Sequence, residues 1–168
     1  MNTDQDQPTP VFIDAPGASR HLSLGYQVNH LARLLATALR TRIEPLGVVP
    51  GQFAQLLALY DEDGLTQTEL GERVRIDQST IAHTLKRMER DGLVKRTRSE
   101  TDRRQAVVRL TPKARALESA LKAAAADVNA LALAGLTGSE VSGLLSTLSR
   151  LVGNLAADEL TVSPPDRK

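Results

Sequence analysis

The chain has 168 residues, a net charge of +1, and 41 % hydrophobic and 24 % charged residues, ordinary values for a globular domain long enough to bury a core. Aromatic residues make up only 2 % (Phe12, Tyr26, Phe53 and Tyr60) and cysteine is absent. That excludes disulfides, thiolate metal sites, a cysteine nucleophile and thiol-based redox sensing, and it disfavours platforms that stack RNA bases. The first residues are polar and acidic, with no basic and apolar signal, and no run of about 18 uncharged apolar residues occurs. A soluble, cytoplasmic protein with no membrane partner is expected.

Residues 1–20 are rich in proline and polar residues and read as a flexible N-terminal arm; 161–168, with Pro164-Pro165, reads as a flexible tail. Six helices and one hairpin are expected between them. The first helix runs from His21 to Ile43, with Leu24, Val28, Leu31, Leu35 and Leu39 as a buried stripe. Glu44-Pro45 stops it, because a residue before proline is pushed out of helical geometry. The second opens at Pro50, where a missing N–H costs nothing, and carries Phe53, Leu56, Leu57 and Tyr60.

Thr66-Gln67-Thr68-Glu69 is a capping box for a third helix, stapled by Leu65 and Leu70 and ending near Val74. Asp77 is the N-cap of a fourth, which ends at Asp91-Gly92. Two short helices joined by so tight a turn form a helix-turn-helix. Residues 93–98 and 106–110 then read as a hairpin, with Ala106, Val108 and Leu110 on one face and a charged tip between, which makes a wing. Thr111-Pro112 starts a fifth helix whose Leu117, Leu121, Ala124, Val128 and Leu131 follow a 4-3-4-3 spacing, that of a helix-packing seam. A second capping box, Thr137 to Glu140, starts a sixth with Val141, Leu144, Leu145, Leu148, Leu151, Val152 and Leu155.

Charge is not spread evenly. Residues 66–111 hold eleven Lys/Arg against seven Asp/Glu, a surplus of +4, and the rest of the chain carries −3. A polyanion partner for this segment alone is implied. On a helical wheel Ile81, Leu85 and Met88 form the inward side of the fourth helix, while Ser79, His83, Lys86, Arg87 and Arg90 lie opposite with no carboxylate among them. Gln78, Ser79 and Thr80 stand at its N-terminal end, where amides and the macrodipole favour phosphate. Glutamine suits adenine, Arg and Lys suit guanine, and hydroxyls suit either base edges or phosphates. Gln78, Ser79, Thr80 and His83 are therefore assigned to base edges, and Lys86, Arg87 and Arg90 to phosphate. In the wing, Arg98, Arg103 and Arg104 surround Glu100 and Asp102, which suits a narrow, strongly negative minor groove.

These residues resemble the MarR family of winged-helix transcriptional regulators over roughly residues 25–155. The resemblance rests on Asp77-Gln78-Ser79-Thr80-Ile81 opening the fourth helix and Met88 to Val94 closing it. It rests equally on Asp102-Arg103-Arg104 followed by Leu110-Thr111. It implies a mainly α fold with a small β-hairpin wing: a winged helix-turn-helix domain (50–111) and a discontinuous helical dimerisation region (21–46 and 112–160). It implies a homodimer on an inverted-repeat operator in double-stranded DNA, with Arg104 entering the minor groove, oriented by Asp102. It also implies a repressor released by a small-molecule effector, such as an aromatic or phenolic acid, bound at residues the sequence does not identify. His83 departs from the arginine or other long polar residue common in the family, so the resemblance implies no base preference there. No cofactor is implied and no metal, since His21 and His30 lie nine residues apart and fit no single-helix ligand spacing.

Two other functions fit less of the sequence: an effector-independent architectural DNA-binding protein, and a winged helix used for protein contacts. An enzyme is not expected, because no glycine-rich phosphate loop, nucleophile elbow or triad pattern occurs.

Overall fold

The computed structural model describes residues 23–98 and 105–161. In chain order the elements are α1 (Leu24–Ile43), a 3-10 turn (Glu44–Leu46), α2 (Pro50–Asp61), β1 (Leu65–Thr66), α3 (Gln67–Val74), α4 (Gln78–Arg90), β2 (Val94–Arg98), β3 (Ala106–Leu110), α5 (Pro112–Ala132) and α6 (Gly138–Thr161). The chain is thus mainly helical, with one small antiparallel sheet. It groups into two compact units that divide between Val128 and Asn129.

In the first unit the sheet has three strands in the order β1-β3-β2, so the expected hairpin is two-thirds of a sheet. Leu65 and Thr66 pair with Val108 and Val107, and Val94 to Arg98 pair with Leu110 to Ala106. Thr66 therefore belongs to a strand with its backbone and caps a helix with its side chain. Being central, β3 is covered more completely than alternation suggests. Val107 is buried as well as Val108 and Leu110, whereas Ala106, expected inside, is exposed.

The core of this unit is aliphatic, as a chain so poor in aromatics requires. Ile43, Val48, Leu56, Leu59, Leu70, Ile81, Leu85, Met88, Leu93 and Leu121 are essentially inaccessible to solvent. The α2 helix buries Gln52, Gln55, Ala58 and Leu59 besides Phe53 and Leu56, so its buried face is wider than the expected stripe and includes two polar residues. Leu117, Leu121 and Ala124 of α5 pack into the same core, so most of the seam is filled within the chain; Leu131 at its end stays exposed.

Two expectations for α1 fail. Leu24, Val28 and Leu31, expected to be buried, are exposed, as is Leu34. The helical periodicity is real, but among the described residues of this unit its first half stays exposed. Nor does the residue before Pro45 leave helical geometry: Glu44 keeps φ −56° and ψ −41°. The helix tightens instead into the 3-10 turn and reverses at Gly47, φ 75°.

Tyr60 links α2 to α5 by donating its hydroxyl to the Ala114 carbonyl at 2.6 Å. Burial, with Glu118 nearby, pushes the phenol up to about 12. Unfolded tyrosine ionises near pH 10, so this contribution is complete below pH 10 and is lost as pH rises towards 12. Tyr60→Phe is expected to cost about 1 kcal/mol at neutral pH and to flatten the alkaline arm of the stability profile, as denaturant melts from pH 7 to 11 would record.

In the second unit Thr137 caps α6 as expected. Its hydroxyl accepts the Glu140 N–H at 3.3 Å, and its own N–H donates to Glu140 Oε2 at 2.7 Å. The helix continues through Thr161, one residue into the expected tail. Leu144, Leu145, Leu148, Val152 and Leu155 are all exposed. No described helix is long and apolar enough to cross a membrane.

Candidate nucleic-acid interface

The helix-turn-helix is fixed at each of its joints. At the start of α3, Thr66 Oγ1 accepts the Glu69 N–H at 3.2 Å while Glu69 Oε2 accepts the Thr66 N–H at 2.7 Å. The Thr66 N–H, followed by the Thr66 hydroxyl donating to the same Oε2 at 2.8 Å, lowers the Glu69 carboxyl. The turn passes through Arg75, the one non-glycine with positive φ (54°) among the described residues. The left-handed conformation is unfavourable for a residue with a Cβ. Here it is held by the Arg75 and Ile76 N–H groups, which donate to Glu72 and Gly71 carbonyls. At the far end of α4, Gly92 (φ 69°) closes a Schellman motif: its N–H reaches the Glu89 carbonyl at 3.0 Å, and that of Leu93 reaches Met88 at 2.9 Å.

Ile81, Thr84, Leu85 and Met88 bury the inward side of α4. Asp91, just past its end, is anchored to α2 by Gln52, whose Nε2 donates to Asp91 Oδ2 at 2.7 Å. This bond, ahead of Arg90 and Lys113, lowers the Asp91 carboxyl. The helix is therefore held rigidly by its buried side and both ends, and its opposite side is presented to solvent.

Ser79, His83, Lys86, Arg87 and Arg90 are all exposed on that opposite side. His83, Lys86, Arg87 and Arg90 line one open surface concavity of about 560 Å³. Lys86 and Arg87 form no ion pair with a described residue; Arg90 leans on Asp91 at 3.1 Å. The acid of this helix, Glu89, is turned aside and faces Arg96 of β2 at 3.5 Å. The result is a cationic strip with no carboxylate on it, the chemistry that draws a polyanion.

Gln78 is the exception among the recognition-helix candidates. On a helical wheel with Ile81 set at 0° it falls at about 60°, on the side of α3. Its Oε1 accepts from Gln67 Nε2 at 3.5 Å, and its Nε2 lies 2.9 Å from where a Cβ on Gly71 would stand. Gln67 Oε1 in turn accepts from Arg96 at 3.4 Å. Reading a base therefore requires Gln78 to swing away from α3. Gly71→Ala removes the space its amide occupies while adding helix propensity. We expect unfolding stability within about 1 kcal/mol of the parent, with DNA-sequence preference altered; binding titrations on several duplexes check this.

Arg98 is exposed at the end of β2, opposite Ala106. Asp102, Arg103 and Arg104 lie outside the described residues. The base of the wing is held by Asp63, which the sequence reading missed. Its Oδ1 accepts the Leu110 N–H at 2.8 Å and its Oδ2 meets Arg115 at 2.5 Å. Gln52, Gln67 and Arg96 were likewise unmarked, having no local pattern to reveal them. Among the described residues no cluster of three or more His, Asp or Glu forms a metal site.

A helix-turn-helix whose second helix presents a cationic strip, backed by a wing, defines a winged-helix DNA-binding protein. The MarR family model matches residues 46–105. The organic hydroperoxide resistance transcriptional regulator of Bacillus subtilis (strain 168) is 30 % identical over 141 residues, covering 80 % of this chain and 93 % of that one. Among solved structures, a MarR transcriptional regulator from Methanosarcina mazei Go1 is 30 % identical with a TM-score of 0.71, over 79 % of this chain and 96 % of that one. The transcriptional repressor CouR, bound to a 23-mer DNA duplex, is 28 % identical with a TM-score of 0.71, over 83 % and 99 %. The chain belongs to the MarR family: it is a DNA-binding transcriptional regulator and not an enzyme.

Proposed function

We propose that the protein is a cytoplasmic homodimeric repressor that reads an inverted-repeat operator, with α4 of each protomer in the major groove. In this reading Ser79, Thr80, His83 and, once swung out, Gln78 meet base edges. Lys86, Arg87 and Arg90 meet phosphates, and the wing, through Arg98, Asp102, Arg103 and Arg104, follows the minor groove. The observation that carries it is the exposed strip of His83, Lys86, Arg87 and Arg90, free of carboxylates, on a helix whose other side is wholly buried. The DNA duplex bound to CouR supports the same partner.

Residues 21–46 and 112–160 supply the dimer contacts, a role that suits the exposed leucines and valines of α1 and α6. Release of DNA by a small aromatic or phenolic acid rests on the family resemblance alone. Sensing of an oxidant through a thiol is excluded, because this chain has no cysteine.

Charge reversal at Arg87 is the direct test. Arg87→Glu is expected to lower DNA affinity at least tenfold and to flatten the dependence of log K on log salt by about one unit, in fluorescence titrations on a duplex selected from random sequence. A winged helix used for protein contacts predicts weak DNA binding with no sequence preference, and a function that survives the reversal. An architectural DNA-binding protein predicts the same loss, but no response to any effector in a screen of aromatic carboxylates.

A further inference from the structure

We propose that Asp77 is a specificity-positioning residue: it locks the hydroxyls of Ser79 and Thr80 as hydrogen-bond acceptors, so that they read the exocyclic amino group of adenine or cytosine. The inference rests on the reading of α4 as a base-reading helix and adds the chemistry of what two of its residues recognise.

Three short contacts carry it. Ser79 Oγ lies 2.5 Å from Asp77 Oδ1, Thr80 Oγ1 lies 2.6 Å from Asp77 Oδ2, and the Thr80 N–H donates to Oδ1 at 2.8 Å. The first two contacts, followed by the amide bond, hold the Asp77 carboxyl far below the usual aspartate range, so it carries no proton. An ionised carboxylate only accepts, and a hydroxyl has a single proton to give. Both hydroxyls must therefore spend that proton on Asp77.

What Ser79 and Thr80 keep for a ligand is lone pairs. Both residues are exposed, and Ser79 lies on the same side of α4 as the cationic strip. Lone pairs repel a phosphate oxygen, and so does the charge of Asp77 beside them. This reverses the expectation that the N-terminal end of α4 is a phosphate seat. In the major groove the donors are adenine N6 and cytosine N4, whereas guanine and thymine present acceptors at O6, N7 and O4. Every base pair carries one amino group, so an acceptor-only hydroxyl fixes which strand bears it. Turning a hydroxyl outward would break a charge-assisted bond, roughly twice as strong as a neutral one.

Asp77→Asn tests the lock while leaving the cap, since asparagine caps a helix as well as aspartate does. Its oxygen keeps the Thr80 N–H and Ser79 contacts. Its amide nitrogen replaces Oδ2 and donates to Thr80, whose proton is then free to point at the DNA. Wild type, Asp77→Asn, Asp77→Ser, Ser79→Ala and Thr80→Val are each put through selection from random duplexes, with a thermal melt of every variant. We expect Thr80→Val to erase preference at one base pair per half-site. At that pair Asp77→Asn should exchange the amino and keto bases between the strands, with discrimination of about fivefold or more. Asp77→Ser, with one oxygen for three donors, should weaken the original preference at that pair, and it keeps the idea testable if Asp77→Asn folds poorly.

The proposal is overturned if Asp77→Asn and Asp77→Ser select the wild-type pair with undiminished discrimination. It is equally overturned if Ser79→Ala and Thr80→Val lower affinity for all sequences alike, the behaviour of phosphate contacts. A wild type that enriches no sequence overturns the base-reading helix itself, and the inference with it.

Discussion

Leu144→Glu/Leu148→Glu is expected to sediment as a single chain of 18.1 kDa, and the parent, as the proposed homodimer, at twice that mass. Its affinity for a selected inverted repeat should fall by about 100-fold or more, because two linked half-site contacts become two separate ones. The reason lies in α6, where Leu144, Leu145, Leu148, Val152 and Leu155 face solvent between 37 % and 70 % exposed. Apolar surface on that scale is uncommon on a protein that stays monomeric. Glutamate is a good helix former, so circular dichroism should show helix content unchanged. A double variant that still sediments as a dimer would mean that α6 is not the association surface.

Asp63→Ala is expected to cost about 2–4 kcal/mol. The side chain sits in the turn between α2 and β1 and is only 17 % exposed. It satisfies the Leu110 N–H of the central strand, meets Arg115 of α5, and lies 4.0 Å from Arg109. Alanine leaves that strand N–H without its partner and removes the carboxylate that Arg115 meets. At roughly 2–4 °C per kcal/mol for a protein of this size, the melting temperature should drop by about 5–15 °C. Asp63→Asn, which keeps an oxygen for Leu110, should lose less than half as much. A melt unchanged by Asp63→Ala would show that the wing base is held by strand pairing alone.

Most local signals in this sequence predict the local structure, the residue before Pro45 being the exception. The Thr66 and Thr137 boxes, the Asp77 cap and the Gly92 turn each involve residues at most five apart, and each forms as its pattern requires. The inward side of α4 follows from periodicity for the same reason. What sequence spacing misses is long-range. Asp63 reaches Leu110 across 47 residues, and Gln52 reaches Asp91 across 39. Strand β1 is two residues long and hidden within a capping box.

The periodic stripe of α1 was legible, but its burial was not. Periodicity reports that a face must be covered; it does not say whether the cover belongs to the same chain. Gln78 shows the converse limit. Its residue type suits adenine, yet its conformation depends on the absence of a side chain at Gly71, which no pattern around Gln78 reveals. Ser79 and Thr80 were legible as polar contacts, but the direction of their protons depends on both oxygens of Asp77 being engaged.

Whether α4 reads specific DNA is measured most directly by capture of genomic fragments with the purified protein at about 150 mM salt, where loose electrostatic binding is screened. The expected result is a small set of fragments sharing an inverted repeat, with half-sites about one helical turn apart. Diffuse recovery without a shared sequence would contradict it, and would leave the cationic strip of His83, Lys86, Arg87 and Arg90 as a non-specific or protein-facing surface.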